Sequence, residues 1–112
     1  MEERYQAELR YRRRREGETI RDLAQDIHRL MMHAYRGQCE SELGQHIARD
    51  SFLVALNDPV LQVKVREREP RTLEEAVRLA SRIEIAQEAA ATSPQSRRRM
   101  ARRIEDLSLI HI

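Results

Sequence analysis

The stretch from Ile47 to Ile83, IARDSFLVALNDPVLQVKVREREPRTLEEAVRLASRI, constrains the fold of this chain more than any other. Two proline-bearing turns cut it into three helices. Ala48, Phe52, Ala55 and Leu56 sit three or four apart and fall on one side of the first. The break comes at Asn57-Asp58-Pro59, where Asp58 is placed to cap a new helix and Pro59 suits its first turn, having no N–H to leave unpaired. That helix carries Leu61 and Val65 one turn apart and must stop before Pro70. Thr72 caps a third, with Glu75 three residues on to close a capping box, and Leu73, Ala76, Val77, Ala80 and Ile83 form its apolar stripe.

Upstream, Gly17 breaks the chain and Thr19 caps a helix in which Ile20, Leu23, Ala24, Ile27, Leu30, Met31 and Ala34 keep the helical period. Arg36-Gly37 ends it, and Ser41 caps the helix that runs from Glu42 into the central stretch. At roughly 100° per residue, Leu43, Ile47 and Val54 form a second stripe on this helix, nearly opposite Phe52 and Ala48. One stripe serves the core; the other is expected to face a partner, the alternative being that the N-terminal helix or the tail covers it.

Residues 1–16 read as a basic arm, the end of a helix belonging to an upstream domain. Residues 17–91 form a helical domain, and 92–112 a basic linker and tail whose last residues, LSLIHI, follow no period with what precedes them. With 112 residues there is room for one small core, and 36% charged residues with 4% aromatic favour helix over sheet. The net charge of +2 is unevenly placed, with basic clusters at Arg12, Arg13, Arg14 and Arg15 and from Arg97, Arg98 and Arg99 to Arg103. These are the candidate nucleic-acid contacts, through phosphates and without base stacking, because aromatic residues are nearly absent from them; acidic lipid is the other partner such clusters can meet, and a solvated charge run the plain alternative.

Catalytic and metal chemistry find little here. His28 and His33 are five apart and face different sides of a helix, His46 and the lone Cys39 add no ligand spacing, and three scattered glycines make no phosphate loop. Asp50-Ser51 lacks the glycine of an aspartic protease loop. The expectation is a protein that is no enzyme, with no cofactor, metal or small-molecule substrate. One cysteine and no stretch of membrane-span length lead to an intracellular, cytoplasmic expectation.

The pieces LRYRRRREGETIRDLAQDIHRLMMHAY, DSFLVALNDPVLQVKV and PRTLEEAVRLASRIE, in that order over residues 7–90, resemble the capsid C-terminal domain of the Gag polyprotein of Ty3/gypsy-type retrotransposons. The first piece is also similar to the major homology region of retroviral capsids, a Gln-Gly-x-x-Glu turn leading into a helix. Gly17, Glu18 and Ile20 form this turn; Glu18 matches the motif's Glu and Ile20 its first apolar position. Arg14 and Arg15 stand where Gln and Gly would be, and Asp26 where an Arg would be. The motif's polar network does not transfer intact, although Glu18 can pair with a nearby Arg. The resemblance implies an all-α, compact four-helix domain that dimerises chiefly through its second helix, here by Leu43, Ile47 and Val54. It further implies assembly into a capsid-like shell or virus-like particle around RNA. A nucleic-acid-binding helical domain and a domesticated, SCAN-like protein–protein adaptor are the alternatives; the first would want basic and amide residues along one recognition helix.

Overall fold

Five helices form between residues 2 and 92, the part of the chain described by the computed structural model: α1 (Glu2–Tyr11), α2 (Ile20–Ala34), α3 (Glu42–Ala55), α4 (Pro59–Glu67) and α5 (Leu73–Thr92). All described secondary structure is helical. Each expected N-cap closes its helix: Asp22 N donates to Thr19 Oγ1 (3.0 Å), Gly44 N to Ser41 Oγ (3.0 Å), Leu61 N to Asp58 Oδ1 (3.2 Å) and Glu75 N to Thr72 Oγ1 (3.2 Å). The box at α5 is shifted by one residue. Glu75 Oε2 accepts from Arg71 N at 2.7 Å, the N–H before the cap, so the carboxylate holds the turn after Pro70 rather than Thr72 itself.

The helix count exceeds the expected four by one, because α1 joins the body. It runs antiparallel to α2: the Tyr5 ring stacks on His33 with centroids 4.7 Å apart, Gln6 Nε2 donates to Ala34 O (3.2 Å), and farther along Arg12 Nε meets Asp26 (2.7 Å). Gln6 thereby satisfies one of the carbonyls that α2 leaves open at its end. Leu9 is buried in the common core, so packing continues across the boundary drawn after residue 16. Residues 93–112, with Arg97, Arg98 and Arg99, lie outside the described residues.

The core is aliphatic around one aromatic ring. Leu23, Ile27, Leu30 and Met31 of α2, Phe52 and Leu53 of α3, and Leu61 and Val65 of α4 are all essentially inaccessible to solvent. Ala76 and Ala80 bring α5 close to this cluster; their small side chains let its backbone approach. Leu53 widens the buried face of α3 beyond the stripe read from Phe52 and Leu56. Among the described residues no helix is long and apolar enough to cross a membrane.

Candidate functional site

Two places in this fold carry the residues singled out above. The first is the loop between α1 and α2. Gly17, at φ +80°, sits third in a turn closed by Glu18 N donating to Arg15 O (3.0 Å), a conformation that glycine adopts without a Cβ penalty. The turn aims Glu18 back at its own loop, where Oε1 accepts from Arg15 N (3.0 Å) and Oε2 from Arg12 Nη2. Arg12 is buried, and its guanidinium also donates to Asp26 Oδ2 through Nε and to the Arg13 carbonyl through Nη1. Asp26 accepts a further bond from Arg29 Nε at 2.8 Å. Ile20, the next anchor, is buried one step into α2.

In this arrangement α2 supplies a carboxylate, Asp26, and the guanidinium that bridges it to Glu18 arrives from Arg12 on the loop. The hydrogen bond from Arg12, opposed by burial, holds the Glu18 carboxyl below its ordinary value. Burial pushes the Asp26 carboxyl up, but the bonds from Arg12 and Arg29 outweigh it and the net shift is downward. The bond to Glu18 is in turn the main reason that the Arg12 guanidinium is raised. Carboxylates held this way stay ionised near neutral pH, which suits a clamp rather than a proton shuttle.

Arg14 extends the clamp across the molecule. Its Nη1 and Nη2 donate to Glu84 of α5 at 2.7 and 3.1 Å, its Nε donates to Glu18 O (2.8 Å), and its backbone N donates to Ala55 O at the end of α3 (2.7 Å). Of the first basic cluster, then, Arg12 and Arg14 are turned inward, while Arg13 and Arg15 remain exposed. The pairing of Asp26 with Arg12, and the part played by Glu84 altogether, were not read from the sequence. An acidic residue on a helix surface carries no local mark of a distant arginine.

The second place is the outer face of α3. Leu43 is 67% exposed and Val54 39%. Ile47, between them, is half-buried and packs against the edge of the core. The three lie along one line of the helix, opposite the inaccessible Phe52. His28 is exposed on α2, His33 is stacked on Tyr5, and the Cys39 thiol lies 3.8 Å from Tyr35 O. Among the described residues no group of three or more His, Cys, Asp or Glu is placed to hold a metal ion. No family model, curated protein or solved structure matches the chain.

Proposed function

We propose that this chain is a non-enzymatic self-association module of a retrotransposon Gag capsid, dimerising through α3 and contributing to a shell around RNA. The observation that carries the reading is the outward apolar row of Leu43 and Val54 with Ile47 between them, on a helix whose opposite side already fills the core. A row of this kind suits a two-fold contact, in which each copy meets the same residues of the other. Burying it would also add apolar area to a core that is small for an independent domain. The clamp around Glu18 agrees with the resemblance in position, with the charges redistributed between loop and helix.

Analytical ultracentrifugation of the full chain across concentration tests this, with light scattering in the presence of RNA to follow growth beyond a dimer. Leu43→Asp and Val54→Asp are the discriminating variants, because both side chains face solvent and neither change touches the core. Both should sediment as folded monomers under conditions where the unsubstituted chain is a dimer. A chain that stays monomeric at every concentration, or variants that still dimerise, would overturn the reading. Growth that stops at a dimer with RNA present would favour the adaptor instead.

A further inference from the structure

Arginines meet again where α4 turns into α5, in a place that neither basic run of the sequence announces. Two adjoining concavities open at this corner and share Arg68 and Pro70 as a common wall. Arg78 and Arg82 of α5 complete one; Arg49, Arg66 and Arg71 contribute to the other. Acidic residues are fewer. Glu75 lines the first concavity and Glu69 the second, while Asp50 pairs with Arg49 (3.1 Å) and Arg66 (3.7 Å). The guanidinium groups of Arg68, Arg71, Arg78 and Arg82 form no ion pair and donate no hydrogen bond among the described residues. That sets them apart from Arg12 and Arg14, whose charge is used internally. Like charges gathered in excess of their counter-charges repel one another, and an anion relieves that repulsion.

The form of the corner selects among anions. The planar fork of arginine matches phosphate oxygens two at a time. Two concavities on either side of a shared wall suit a polymer that presents one phosphate after another. No aromatic side chain lines either concavity, so no base finds a stacking surface. We propose that the α4–α5 corner holds the phosphate backbone of single-stranded RNA without reading its sequence. The inference shares its RNA partner with the proposed function, but not its dependence on self-association, which ultracentrifugation reads separately.

Fluorescence anisotropy with short, unrelated single-stranded RNAs at several salt concentrations tests it on the full chain. Replacing Arg68, Arg71, Arg78 and Arg82 together by Gln leaves the core untouched, since all four are exposed. Affinity at low salt should fall by roughly tenfold or more, and the slope of log affinity against log salt should shrink by about one for each phosphate that the variant no longer neutralises. Glu69→Gln, which removes a negative charge from the second concavity, should bind more tightly than the unsubstituted chain. Replacing Arg97, Arg98 and Arg99 by Gln should weaken binding less than the corner variant does. Should the fourfold variant melt early, the pair Arg78→Gln and Arg82→Gln on α5 carries the same test with half the expected reduction in slope. The proposal is overturned if the unsubstituted chain does not bind RNA at low salt, or if the corner variant binds as before. Equally, it is overturned if the corner engages phosphatidylserine vesicles that RNA does not displace.

Discussion

Arg12 places three donors of one guanidinium on Glu18, Asp26 and the Arg13 carbonyl while buried from solvent. Removing it leaves the Glu18 and Asp26 carboxylates and the Arg13 carbonyl without this donor. Arg12→Ala should therefore destabilise the fold by about 3 kcal/mol in urea unfolding, and Arg12→Lys should recover little, since a compact ammonium does not span the three acceptors that the separate nitrogens of the guanidinium reach. The linked carboxylates give the hub a pH signature. Glu18 and Asp26 are both held below their ordinary carboxylate values. Their stabilisation is thus complete above roughly pH 5 and is lost as pH falls through the folded values. The urea midpoint should hold steady from neutral pH down to about 5 and then drop. Glu18→Gln should start lower at neutral pH and drop less; an unchanged acid slope would mean that Glu18 is only a solvated charge. In the core, Phe52 is inaccessible to solvent, and Phe52→Ala should cost about 3–5 kcal/mol by chemical denaturation.

The helices owe their ends to residues that can be read one at a time, but their approach to one another sets further conditions. Gly44, in the first turn of α3, looks like a poor helix former; a Cβ there would stand 1.9 Å from the Gln38 carbonyl oxygen and 2.9 Å from its carbon. The turn over residues 38–41 closes onto α3 because that Cβ is missing. Gly44→Ala should lower stability by about 1–3 kcal/mol, seen as an earlier thermal midpoint, despite the better helix propensity of alanine. At the end of α4 the reverse holds. Glu69 sits at φ +52°, where a side chain is strained. Glu69→Gly should raise the stability by about 1 kcal/mol, because glycine occupies that conformation freely.

At the scale of the molecule, Arg14 joins parts of the chain that are 70 residues apart. Through it the loop before α2, the end of α3 and the second half of α5 form one unit. Arg14→Ala should cost about 1–3 kcal/mol, and amide exchange in α5 near Glu84 should rise more than exchange in α2. Equal acceleration in both helices would mean that the ion pair supports the whole fold and not the docking of α5 in particular.

Caps, breaks and apolar periods were legible because they act over three or four residues. Thr19, Ser41, Asp58 and Thr72 close their helices by bonds to an N–H three positions on, and a sequence displays that spacing directly. The outward row on α3 was legible for the same reason, since opposite faces of a helix follow from residue angle alone, although only packing decided that Ile47 would be half-covered while Leu43 stood free. What depended on tertiary structure was the fate of charge. Arg12 and Arg14 look the same in the sequence as Arg13 and Arg15. The fold turns the first two inward toward Asp26 and Glu84 and leaves the other two in water. Arginines spread from Arg49 to Arg82 share one corner only once α3, α4 and α5 are packed. Coulomb interaction acts through space rather than along the chain, so the partners of a charge are settled by where the helices come to rest.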